Sequence, residues 1–128
     1  FYFQFSADGG SSWLVGNYGA CAGYDGGVNL RSAGFTGASY VTLADSVGNG
    51  TGIGVSGPLY LIDPNPSATH PQVRWDFATI SSIGSNLPMG QSGGGSRNTS
   101  STVDAVRFSY ASGNIADGEI RMYGMKDS

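Results

Sequence analysis

Between residues 101 and 126 the sequence STVDAVRFSYASGNIADGEIRMYGMK alternates with a period of two. Val106, Phe108 and Tyr110 interleave with Ala105, Arg107 and Ser109; Ile120 and Met122 interleave with Glu119, Arg121 and Tyr123. That period puts each set on one face of a sheet and is incompatible with a helix stripe. The intervening SGNIADG, residues 112–118, gathers glycine with Asn114 and Asp117, whose short side chains bond their own local backbone. The segment therefore predicts two strands joined by a loop longer than two residues, a hairpin that closes a β-domain.

The same period recurs upstream. Phe1, Phe3 and Phe5 alternate with Tyr2, Gln4 and Ser6, which predicts a strand with one strongly buried side. ADGGSS, residues 7–12, is a turn, and Trp13, Leu14 and Val15 begin a second short strand. Residues 16–27 set Tyr18, Cys21 and Tyr24 among glycines, as a strand with bulges or an irregular loop. Residues 28–31, 40–43 and 53–55 read as further short strands, with loops at 33–38 and 45–51. Leu59 and Leu61 alternate with Tyr60 and Ile62, so both faces of that strand are expected to be covered. Residues 63–72, DPNPSATHPQ, hold three prolines and predict a stiff loop. Val73, Trp75 and Phe77 alternate with Arg74, Asp76 and Ala78 in the clearest interior strand after the first. From residue 83 the pattern lapses, and the small polar run within residues 84–101 predicts a long loop, either functional or a contact for a neighbouring subunit. Roughly seven to nine short strands with no helical period predict an all-β fold, an antiparallel β-sandwich of the jelly-roll type.

A length of 128 residues suits a single domain, residues 1–128, around one core. The 22 glycines separate short apolar runs, while aromatics spread along the chain argue against disorder. Net charge is −3, and the six basic residues stand singly, so no patch exists to neutralise phosphates and no nucleic-acid partner is expected. No apolar run approaches spanning length, so no membrane insertion is expected. The sequence opens at Phe1 inside a strand and without Met, which predicts a processed product or a piece of a longer chain whose upstream residues complete the sheet. Cys21, the single cysteine, has no disulfide partner and reads as a small buried hydrophobe.

Residues able to do chemistry are sparse. No serine lies in a G-x-S-x-G elbow, and His70 stands between Thr69 and Pro71 in the stiff loop. Half of the aspartates, Asp8, Asp25, Asp63 and Asp117, neighbour Gly or Pro, the turn positions, and Asp76 and Glu119 read as strand residues facing solvent or an edge. Paired carboxylates for glycoside hydrolysis need two such groups across one cleft. Asn114, Asp117 and Glu119 crowd one turn and are weak calcium candidates, with Asp8 or Asp25 as further oxygen donors; the EF-hand loop pattern is absent, and turn stabilisation accounts for the same residues. No cofactor is expected. The aromatics offer more. Trp13 follows a turn, and Tyr18 and Tyr24 lie among glycines, so these three are the candidate ligand-binding residues, facing a glycan or another subunit.

Two stretches carry a family resemblance. VDAVRFSYASGNIADGEIRMYGMK resembles the end of a β-sandwich module of tail and fibre-like structural proteins of tailed bacteriophages: a strand over residues 103–110, an SGNI-type turn at 112–115, Gly118, and a last strand closing on Tyr123 and Gly124. FYFQFSADGGSSW, residues 1–13, is similar to the strand and S-DGGS-W turn of the same modules. The resemblance implies a non-enzymatic virion structural module in a tail fibre, spike or head appendage, serving assembly or host-surface recognition. It implies copies of the chain itself, as a trimer, and other virion proteins as partners, with a host surface glycan as a ligand. The alternative from another class is a carbohydrate-binding module of a secreted protein.

Overall fold

In a computed structural model of the chain, residues 1–24, 30–48, 50–65, 69–80 and 88–125 are described. Those residues form an all-β fold of nine strands and no helix. The strands are β1 (Tyr2–Ser6), β2 (Asn17–Tyr24), β3 (Leu30–Ala38), β4 (Val41–Thr42), β5 (Val55–Ser56), β6 (Leu59–Ile62), β7 (Gln72–Ile80), β8 (Pro88–Arg97) and β9 (Ala105–Ser109). One sheet has the order β4-β1-β9; the other runs β3-β2-β8-β7-β5, with β6 also on β7. Every pairing is antiparallel.

The core forms where the apolar faces of the two sheets meet, as in a sandwich. Phe3 and Phe5 of β1, with Val41 and Leu43 from β4 and its exit, pack with Cys21 of β2 and Val73, Trp75 and Phe77 of β7. Phe5 is 0% and Trp75 1% exposed. Each such side chain contributes about 1.5–3 kcal/mol relative to exposure. Phe3 meets Phe5 edge-on at 4.9 Å and Phe108 of β9 at 5.3 Å, the tilted geometries that aromatic quadrupoles favour. The alternations at residues 1–6 and 73–78 thus become the buried faces of β1 and β7.

The largest departure from the sequence reading lies in residues 84–101. Instead of a loop, PMGQSGGGSR forms β8, a ten-residue central strand hydrogen-bonded to both β2 and β7. Its glycines are where the core's bulk goes. Gly93 pairs with Trp75, and a Cβ added there would fall 2.9 Å from the indole Cε2. A Cβ at Gly95 would meet Val41 Cγ1 of the opposite sheet at 2.9 Å, and one at Gly19 would meet Phe35 Cζ at 2.6 Å. Large side chains of neighbouring strands fill the volume that these positions leave empty, so a strand poor in side chains is central rather than frayed. Residues 84–87 lie outside the described set.

Other boundaries also move. Residues 33–38 continue β3 rather than forming a loop, because β2 pairs with Ala33, Gly34 and Phe35 and, past a register shift, with Ala38. Trp13, Leu14 and Val15 form no strand; Leu14 N instead donates to Phe5 O at 2.9 Å, and β2 begins at Asn17. Asn17 is fully buried, and its Nδ2 holds Leu14 O and Ala38 O at 3.1 and 3.0 Å, tying this connection to the end of β3. In β6 only Leu59 and Leu61 turn inward, while Tyr60 and Ile62 are exposed. The predicted hairpin near the end is half present. Its first strand is β9, but residues 111–125 join no sheet and every one of them is exposed.

Candidate functional site

The turn after β1 is built around Asp8. Its Oδ1 accepts from Ser6 Oγ and Ser12 N, both at 2.8 Å, and its Oδ2 accepts from Ser12 Oγ at 2.6 Å. Gly9 and Gly10 take φ of 68° and 87°, values that side chains rarely adopt, so D-G-G is the sequence this loop needs. Gly9 N reaches across to Asp104 Oδ1 at 3.0 Å, pinning the turn beside β9. The Ser12 hydroxyl and amide, then the Ser6 hydroxyl, hold the Asp8 carboxyl at about 2, below its ordinary 3.8.

That turn delivers Trp13 to the outer side of the smaller sheet. The Arg107 guanidinium lies 4.3 Å above its ring centroid, and Gly10 and Ala105 lie near the same side chain. Arg107 Nε and Nη2 also donate to Gln4 Oε1 at 3.0 and 2.5 Å, while Gln4 Nε2 donates to Ser39 O at 2.9 Å. Gln4 is buried under this cover with both ends of its amide engaged. Next to it Tyr2 stacks on Tyr40 with centroids 4.0 Å apart. Burial, and then the Tyr40 phenol beside it, push the Tyr2 phenol above its ordinary range. Outer-face side chains of the small sheet thus interlock into an aromatic and polar stack, Trp13–Arg107–Gln4 with Tyr2–Tyr40.

The three aromatics singled out from sequence do not share one place. Trp13 belongs to the stack on the small sheet. Tyr18 lies in β2 of the large sheet, opposite Ser96, and is 36% exposed. Tyr24 ends β2, opposite Leu30 and Gly90. Around Tyr18 the outward positions are small: Ala20, Gly34, Ser92 and Gly94 are all exposed. Arg107 and Gln4 escaped the sequence reading because their role rests on a cross-strand register, Gln4 opposite Arg107.

Asn114, Asp117 and Glu119 all lie in the exposed segment 111–125. Asp117 Oδ1 accepts from Gly118 N at 2.8 Å, and Glu119 is engaged by Arg121. Among the described residues no three His, Cys, Asp or Glu side chains gather as a metal site would require; Asp25 lies outside that set. His70 is exposed beside buried Pro71. An open depression of about 530 Å³ sits where β5, β7 and β8 meet, with Val55, Ile80, Pro88 and Met89 in its walls. The hydroxyls there are Ser56 and Thr79, and Thr79 Oγ1 already donates to Met89 O. Among the described residues, no carboxylate, imidazole or thiol lines that depression to activate either hydroxyl. Cys21 is buried, and burial raises its thiol pKa, away from the thiolate that reacts.

The exposed segment has its own order. Glu119 Oε1 and Oε2 take a bidentate pair of bonds from Arg121 Nε and Nη2 at 2.7 and 3.0 Å. In sequence Glu119, Arg121 and Tyr123 alternate with Ile120 and Met122, the period of the two faces of a strand. Ile120, Met122, Tyr123 and Met125 are 62–82% exposed, an unusual density of large apolar side chains in water.

No family model matches the sequence, and neither a curated protein nor a solved structure matches it.

Proposed function

We propose that the chain is a non-enzymatic structural module that assembles with copies of itself, in a tailed-bacteriophage particle as a tail fibre, spike or head-appendage domain. The observation that carries the assembly reading is the segment 111–125, which joins neither sheet and carries Ile115, Ile120, Met122, Tyr123 and Met125 in solvent. Such a surface is satisfied by association. The virion placement rests on the resemblance of residues 1–13 and 103–124 to tail and fibre modules. A jelly-roll path is part of the same reading, supported by the nested pairing of β1 with β9 and β2 with β8.

The carbohydrate-binding alternative draws support from exposed Tyr18, whereas Arg107 already occupies a face of the Trp13 ring that a sugar would stack on. The deciding experiment is the native molar mass by light scattering. A stable multiple of 13.1 kDa is expected; a monomer at the highest soluble concentration overturns the assembly reading.

A further inference from the structure

Resting on that assembly reading, we propose that residues 118–125 add as a strand to the free edge of β9 in a second copy of this chain, so that each copy donates one strand and receives one.

Donor and acceptor are both on the page. The donor lies outside both sheets, and its sequence alternates Ile120 and Met122 with Glu119, Arg121 and Tyr123 as a strand does. Its two faces match what the edge of a sandwich offers, with Ile120 and Met122 for the inner side and Glu119 and Arg121 for the wet side.

The acceptor is selected by elimination and by fit. β4 has only two residues, and β6 has four and follows Pro58. The β3 edge is interrupted by Gly34 and by Gly37 with φ 62°, opposite a register shift in β2. β9 is AVRFS, without Gly, Pro or bulge, and among the described residues it is paired on one side only, to β1. An edge of that kind is open to strand addition. Its inward residues Val106 and Phe108 are only half-buried, as are Phe1 and Tyr110, which pack beside them. An added strand would place Ile120 and Met122 against this incompletely covered group. Ile120 and Met122, 62% and 73% exposed, are the donor side chains that docking covers, and reciprocal exchange makes the contact twice, toward the roughly 1,000 Å² that a specific interface needs. Because the two patches differ, the contact either closes a ring or is exchanged reciprocally in a pair.

The test uses the 128-residue chain and the full-length variant Ile120→Glu with Met122→Glu, read by light scattering, hydrogen exchange and thermal melting. Both positions are more than half exposed, so the variant is expected to melt as the wild type's protomer does. The expected result is an oligomer with slowed exchange at residues 119–123 and 105–109, falling to 13.1 kDa in the variant with both segments exchanging freely. A variant that keeps the wild-type mass overturns strand addition and leaves the assembly reading standing. An oligomer whose β9 amides exchange at the variant's rate overturns β9 as the acceptor. A monomeric wild type, including one whose segment is protected by folding back on its own β9, overturns both.

Discussion

The glycines of β8 offer a severe test of the fold, because neighbouring positions in one tract are expected to respond with opposite sign. Gly93→Ala puts a methyl group against the Ala20 carbonyl and the Trp75 indole, with Cε2 at 2.9 Å. Neither yields easily: the carbonyl belongs to the adjacent strand, and Trp75 is 1% exposed. Overpacking of this kind costs about 1–3 kcal/mol. Replacing Gly with Ala in a strand returns roughly 0.5–1 kcal/mol through the unfolded chain. A net loss of about 1–2 kcal/mol follows, or on the order of 3–8 °C in Tm for a domain this size. At Gly94 the nearest atom to an added Cβ is Val73 O at 3.8 Å, and at Gly90 nothing lies within 4 Å. Gly94→Ala and Gly90→Ala are therefore expected to be neutral or stabilising by a few tenths of a kcal/mol. Urea or thermal melts followed by tryptophan fluorescence separate the three. Trp75→Phe shortens the ring system at the contact, so it should reduce the Gly93→Ala penalty, a coupling that a double-mutant cycle reads directly. Equal behaviour of Gly93→Ala and Gly94→Ala would refute the alternation of β8, and with it the register against β7.

Three further outcomes follow from the polar network. Asp8 is held low in the folded state, so its contribution is complete above the unfolded value near 3.8 and is lost as pH falls through about 2; the melting difference between wild type and Asp8→Asn should shrink across that interval, and a pH-independent difference would remove the carboxylate from the explanation. Gln91 is buried and clamps Asp45 N and O at 2.8 and 2.9 Å, so Gln91→Leu should cost about 2–3 kcal/mol by leaving backbone groups unpaired, whereas a loss within 0.5 kcal/mol would show that the clamp is dispensable. Arg107→Ala should uncover Trp13, red-shift its emission and destabilise by about 1–2 kcal/mol by freeing Gln4 Oε1; an unchanged spectrum would refute the stacking.

The candidate surfaces were legible to different degrees. Trp13 and its D-G-G turn stood out because turn chemistry is local: Asp8, Gly9, Gly10 and Ser12 act within a few residues of one another. That the turn delivers Trp13 onto Arg107 is not local, since Arg107 lies in β9, which the β1–β9 register brings beside the turn. The alternation of Ile120 and Met122 was equally plain. A period of two marks a strand, but it does not say which edge, or which copy of the chain, completes it.

Local pattern alone determined the all-β class and the inward faces of β1 and β7, because burying one face of a strand requires apolar residues at every second position. It determined the Asp8 turn for the same local reason. The tertiary structure decided where the glycines belong. Without neighbours, S-G-G-G-S has no side chains to pack and reads as a loop. Between β2 and β7 its empty positions receive Trp75 and Val41, and the shape that a glycine strand lacks is supplied by the side chains of other strands. Packing is a property of pairs distant in sequence, which is why that strand became visible only in three dimensions.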